Sequence, residues 1–215
     1  MGESGYLPAL RFRSLTRVYD PAIRWTTRED TFKRRLLEQA ALSDGHRVLD
    51  IGSGTGTLAI MAKQRVPGAD VVGLDGDPEM VARASAKAER AGVEAAFDEG
   101  LSTELPYADE TFDRVLSTLF FHHLTTGDKR RTIEEVTRVL KPGGELHVAD
   151  WGRPSDPLMA VLSTPLLLDG WQRLRANLAG RLPELFESHG LSEARQRGSV
   201  RTAFGTLALC SAVRR

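Results

Sequence analysis

Residues Arg47 to Ile60, R-V-L-D-I-G-S-G-T-G-T-L-A-I, constrain the chain more than any other stretch. An apolar run, Val48 to Ile51, is broken by one carboxylate, Asp50, and leads into Gly52, Ser53, Gly54, Thr55 and Gly56. Leu58, Ala59, Ile60 and Met61 follow at helical density. This pattern predicts a short buried strand, a tight glycine turn and a helix opening directly from it. Glycine suits such a turn because the chain must reverse and let a ligand approach its backbone without a Cβ in the way. The helix that follows offers unpaired N–H groups and a partial positive charge. A dinucleotide turn would read G-x-G-x-x-G and seat a pyrophosphate. Here the third glycine comes one residue early, with Thr57 in its expected place. Asp50 would repel a pyrophosphate and attract an ammonium group. The expected ligand therefore carries a cationic amino acid end.

A second carboxylate, Asp75, closes the next apolar run, Ala69 to Leu74. It lies about 20 residues after the glycines, where a Rossmann-like fold places an acid on a ribose hydroxyl pair. A diol can donate two charge-assisted hydrogen bonds to one carboxylate. Gly76 follows, and Asp77-Pro78-Glu79-Met80 opens the next helix, with Asp77 as its cap and Pro78 in its first turn.

Asp50 to Gly56 resembles the first motif of the class I S-adenosylmethionine-dependent methyltransferases, whose acid and glycine turn hold the methionyl end of the cofactor. Three further features occur in that family's order: Asp75, the stretch Glu104 to Val115, and Lys141-Pro142-Gly143-Gly144. The second of these is similar to the family's E-x-L-P-F-x-D-x-x-F-D-x-V, with Tyr107 replacing the usual phenylalanine. Together they cover Val48 to Asp150, and their joint order is far more specific than any one motif. The resemblance implies an α/β fold: a Rossmann-like, doubly wound, mostly parallel seven-stranded sheet with an antiparallel C-terminal strand and helical cover elements. It implies S-adenosyl-L-methionine as cofactor, held by Asp50, Gly52, Ser53, Gly54, Gly56, Asp75, Gly76, Met80, Gly100, Leu101 and Ser117. Gly76 stands where the family often packs an apolar side chain on adenine, and Met80 is the substitute. Leu101 stands where relatives carry an acid for the adenine amino group, leaving its backbone N–H for the ring. Tyr19 is expected to close over the methionyl end, as an N-terminal Tyr-Asp pair does in the ubiquinone/menaquinone-type members.

Residues 1–44 form an expected helical substrate cover, ahead of a cofactor domain over 45–215 with a helical insertion at about 153–182. The first segment interleaves arginines with Leu10, Phe12, Leu15, Ile23 and Trp25. That mixture suits a cover over a pocket, peripheral contact with anionic lipid, or simply a helix packed at the sheet edge with a solvated basic face. Thr26-Thr27-Arg28-Glu29 reads as a capping box for a helix through Phe32, Leu36, Leu37 and Ala40. Phe120-Phe121-His122-His123 leaves the carboxyl end of the fourth expected strand, and Asp150-Trp151 that of the fifth, where open α/β sheets bind ligands. His122, His123 and Asp150 are therefore the candidate catalytic groups, a base being needed only for a hydroxyl, an enol-like carbon or a protonated amine. Lys141 to Gly144 is expected to be a turn between helix and strand.

Composition excludes more than it assigns. Lys and Arg total 29 and Asp and Glu total 29, so no global field points to nucleic acid. Cys210 stands alone, and His46, His147 and His189 show no ligand spacing, so no disulfide framework or metal site is expected. No apolar stretch approaches ~20 residues and no leader-like segment opens the chain, which makes a cytoplasmic enzyme the expectation. Phe12, Trp25, Met159, Leu162, Leu166 and Trp171, with few acids among them, suit a small and largely apolar acceptor. Two rivals remain at this stage: a nucleotide-dependent oxidoreductase on the same fold, and a silent cofactor-binding scaffold. Oligomeric state is not legible.

Overall fold

Val48, Leu49 and Ile51 are fully buried because β1 (Arg47–Ile51) pairs in parallel on both sides, with β2 (Asp70–Asp75) and with β4 (Phe112–Thr118). A parallel strand covered on both faces needs a near-continuous apolar run, which only Asp50 interrupts here. The computed structural model describes residues 28–169 and 171–215. Tyr19, Phe12, Trp25 and the other residues of 1–27 lie outside it, as do the side chains of 167–171, Trp171 among them.

The sheet has seven strands in the order β3-β2-β1-β4-β5-β7-β6, with β3 (Ala96–Glu99) at one edge and β6 (Leu191–Thr202) at the other. β5 (Leu140–Trp151) continues the parallel set, and β7 (Gly205–Arg214) lies antiparallel between β5 and β6. Strand order reverses between β1 and β4, and the crevice beyond their carboxyl ends is where a ligand belongs. α1 (Glu29–Ala40) and α2 (Thr57–Arg65) cover one face through Phe32, Leu36, Leu58 and Ala62. α3 (Pro78–Ala91) packs on β2 and β3. α4 (Thr126–Val139) and α7 (Leu182–Glu187) cover the other face through Ile133, Val136, Leu182 and Phe186.

Between β5 and α7 the chain makes α5 (Pro157–Leu162), a 3-10 segment (Thr164–Asp169) and α6 (Trp171–Leu178). α6 joins both sides of the sheet: Leu174 enters the core under α1 and α2, while Asn177 meets Lys129 of α4. Met159 is buried where α5 packs on β7.

Local chemistry explains where elements begin. The Asp77 carboxylate accepts from the Glu79 N–H at 2.8 Å, and Gly92 ends α3 with φ 63°. α1 starts from Arg28, in a left-handed conformation with no side-chain cap of its own, and Glu29 pairs with Lys33 at 2.6 Å; Thr26 and Thr27 of the expected capping box lie outside the described residues. One expectation needs correction. Lys141 to Gly144 is not a free turn. β5 already begins at Leu140, which pairs with Phe112, and the register then shifts so that Glu145 meets Arg114. The four residues form an irregularity inside a long strand, with Gly143 at φ 77°. β3 is set in register by β2, Val72 pairing with Ala96 and Asp75 with Glu99.

Candidate active site

The glycine turn connects β1 to α2, and Gly52, Gly54 and Gly56 all take positive φ, at 65°, 52° and 72°. Each has its own reason. A Cβ on Gly52 would enter the ring of Phe120, and one on Gly56 would meet Phe97 and Ala84. No described residue lies within 4 Å of the corresponding position on Gly54, so its backbone is open on that side. The turn is held from β2: the Ser53 N–H donates to the Leu74 carbonyl at 3.0 Å, and the Gly54 N–H to Asp75 Oδ2 at 2.7 Å. Asp75 Oδ1 accepts from the Asp77 N–H at 3.0 Å. A carboxylate has about four acceptor sites, so each oxygen keeps one for an outside donor.

Asp50 is 1% exposed, and among the described residues neither of its oxygens has a hydrogen-bond partner of good geometry. Burial is the main reason its carboxyl is pushed up to about 7; Lys33 and the backbone at Ala59 pull the other way, and Asp75 adds repulsion. The Ser53 hydroxyl is likewise buried and unpartnered. An orphaned buried carboxylate and hydroxyl beside an open glycine backbone call for a polar, cationic partner. S-adenosyl-L-methionine fits this donor and acceptor set: Asp50 would take its ammonium and Asp75 its ribose hydroxyls.

The remaining predicted cofactor residues are placed unevenly. Gly76 and Met80 lie at the Asp75 end of the crevice, half-buried, where α3 starts. Gly100 follows β3 and donates its N–H to the Asp75 carbonyl at 3.0 Å; Leu101 is 51% exposed. Ser117 does not present its hydroxyl to the crevice. It is fully buried within β4 and donates to the Ile51 carbonyl at 3.1 Å.

At the ends of β4 and β5 the structure separates the two histidines. They sit on a 3-10 turn (Phe121–His123), with ring centroids 3.9 Å apart. His123 is exposed, whereas His122 is 9% exposed and its Nδ1 lies 2.8 Å from Asp150 Oδ1. The His122 backbone N–H donates to Asp150 Oδ2 at 3.2 Å, and the Trp151 N–H to Oδ1 at 2.7 Å. Burial pushes the Asp150 carboxyl upward, but His122, the Trp151 N–H and His123 outweigh it and hold it below the usual carboxylate value. An ionised acceptor on Nδ1 makes that nitrogen the N–H and leaves Nε2 as the basic one.

Sequence reasoning missed two groups. Lys129, on the first turns of α4, is 1% exposed; its Nζ donates at 2.6 Å both to the Arg173 carbonyl and to Asn177 Oδ1 on α6. A lone lysine in a helix reads as a solvated residue, and no local signal marks this one. Among the described residues no group of His, Cys, Asp and Glu could hold a metal, and no helix is long and apolar enough to cross a membrane.

A doubly wound sheet with a ligand-ready carboxylate beneath a glycine turn, and a second acid at the next strand end, defines a methyltransferase-type cofactor domain. Comparison with known proteins agrees. The methyltransferase domain model matches residues 48–144. The chain is 32% identical over 161 residues to an uncharacterized methyltransferase of Synechocystis, covering 73% of each. It is 42% identical over 123 residues to a demethylmenaquinone methyltransferase of Thermus thermophilus, which is 57% of this chain but only 55% of that protein. A SAM-dependent methyltransferase from Aquifex aeolicus superposes with TM-score 0.65 at 21% identity, covering 93% of this chain and 96% of the other; that likeness is one of fold. The chain belongs to the class I S-adenosylmethionine-dependent methyltransferases. Membership removes the oxidoreductase alternative.

Proposed function

We propose that the chain moves a methyl group from S-adenosyl-L-methionine to an oxygen or carbon of a small, largely apolar, quinone-like ring, with His122 as the base. The observation that carries this reading is the buried His122–Asp150 pair beyond β4 and β5, across the crevice from the glycine turn. When bound, the cofactor supplies an activated methyl group, so positioning accounts for most of the acceleration. What remains is a proton. A ring hydroxyl, or the carbon beside it, becomes nucleophilic only as it loses one, and an imidazole near neutral pH is suited to take it. Asp150 orients the ring through Nδ1 and stabilises the imidazolium that forms. Trp151, buried at the end of β5, sets its ring 6.3 Å from the imidazole and supplies apolar surface beside it. The name of the Thermus relative, a demethylmenaquinone methyltransferase, supports a quinone-like acceptor.

The test is methyl transfer from labelled cofactor to a panel of hydroquinones, phenols, primary amines and basic peptides. Transfer to the ring acceptors is expected. Transfer confined to amines or peptides would overturn the reading.

A further inference from the structure

Leu119 holds a backbone conformation that large side chains rarely adopt. Its φ is 52°, in the left-handed region, where the Cβ crowds the following carbonyl. Among the described residues the other non-glycine positions with positive φ are Arg28, Ala41, Glu110 and Glu193. Those four are exposed, and they sit at the two ends of α1, in a turn and in an irregularity of β6. Leu119 is half-buried and apolar, the first residue past β4, and its N–H donates to the Ala149 carbonyl of β5 at 2.9 Å. Such a conformation persists only where the surrounding structure holds it, and it gathers at functional sites.

The next three side chains diverge from this point. β4 lies between β1 and β5 in the sheet. Phe120 leans toward β1, and its ring fills the space where a Cβ on Gly52 would stand. Phe121 turns into the core, fully buried against Phe186 with ring centroids 5.8 Å apart. His122 leans toward β5, with its N–H at 3.2 Å and its Nδ1 at 2.8 Å from the Asp150 carboxylate. A strand continued past Thr118 would put Phe120 and His122 on one face, because side chains alternate with period 2. The left-handed residue parts them, one to the glycine turn and the other to the carboxylate.

We propose that Leu119 is a positioning residue whose backbone conformation, and not its side chain, sets Phe120 against the glycine turn and His122 on Asp150. The ring that backs the cofactor turn and the candidate base then share one pivot.

Two substitutions separate backbone from side chain. Leu119→Asn removes the apolar side chain but suits positive φ, whereas Leu119→Val keeps an apolar side chain and, being β-branched, resists it. Hydrogen exchange reads the protection of the His122 amide; labelled transfer and calorimetry read kcat and cofactor affinity. In Leu119→Val the His122 amide is expected to lose protection and kcat to fall about ten- to a hundredfold. Cofactor affinity should fall much less, because bonds from β2 hold the glycine turn independently. In Leu119→Asn all three are expected to stay near those of the parent. Equal damage in both variants would overturn the proposal by assigning the effect to the side chain. A His122 amide still protected in Leu119→Val would overturn it too. Should Leu119→Val not fold, Leu119→Asn decides alone: retained protection supports the proposal and lost protection overturns it. Only the kcat arm rests on the reading of His122 as base. Lost protection with an unchanged kcat in Leu119→Val would sink the base and leave the positioning by Leu119 standing.

Discussion

On the β1–β2 side of the crevice, ligand-facing groups come from one continuous stretch: the glycine backbone, Ser53, Asp50 and Asp75. On the β4–β5 side the buried polar groups come from four segments brought together by folding: His122 with Asp150, and Lys129 with Asn177. The first side is built from main chain and left with unsatisfied acceptors. The second is built from side chains that pair with one another, although Asn177 Nδ2 keeps no partner among the described residues. A region that waits for a ligand carries buried acceptors with no partner, whereas one that must hold a side chain still grips it through paired atoms, as Asp150 grips His122.

Variants can break this division of labour or sharpen it. The largest effect is expected at the paired side. His122→Asn should lower kcat by about 10²- to 10⁴-fold and leave cofactor affinity unchanged, as read by labelled transfer and titration calorimetry. Equal losses in both would mean the two sides are not separate. Asp50→Asn should do the reverse, weakening cofactor binding by on the order of a hundredfold, the consequence of removing one partner of a buried charge pair. It should also raise the melting temperature of the cofactor-free protein, because the orphaned carboxylate is gone; a lower melting temperature would contradict the picture. Asp75→Ala is expected to cost about 2 kcal/mol of cofactor affinity, and it also leaves the Gly54 and Asp77 N–H groups without their acceptor.

The smallest effect is one of pH. Asp50 has its folded pKa raised to about 7, so the stability it allows below the ordinary carboxylate range is lost as pH rises through that value. The cofactor's ammonium needs the charged form, so binding should be about tenfold weaker at pH 6 than at pH 8. Calorimetry at both values checks this, with Asp50→Asn flattening the dependence.

The same contrast explains what could be read before the structure. Asp50, the glycines and Asp75 are legible because backbone geometry imposes spacing: a strand, a reversal and a helix leave little freedom in residue type. Asp77 marks a helix start for the same reason. Among the histidines, spacing could name the pair but not choose within it, since burial against Asp150 separates them and adjacent residues share every local signal. Lys129 and Asn177 were invisible because their partners lie on distant elements. Ser117 misled for a related reason, its hydroxyl being taken by a neighbouring strand's carbonyl. The Lys-Pro-Gly-Gly segment carries every mark of a turn, yet pairing of Leu140 with Phe112 draws it into the sheet.

The place of β7 has a consequence for the order of assembly. It is the last strand in sequence but lies inside the sheet, where Ala208 pairs with Asp150 and Leu207 with Trp151. The β-α-β unit that carries the glycine turn closes over short sequence distances. The end of β5 stays an open edge until the β6–β7 hairpin arrives across a much longer loop, a slower event. The cofactor half of the crevice should therefore exist before the acceptor half during refolding. Pulse-labelled hydrogen exchange would show this as protection of β1 and β2 amides ahead of those of Ala208 and Leu209.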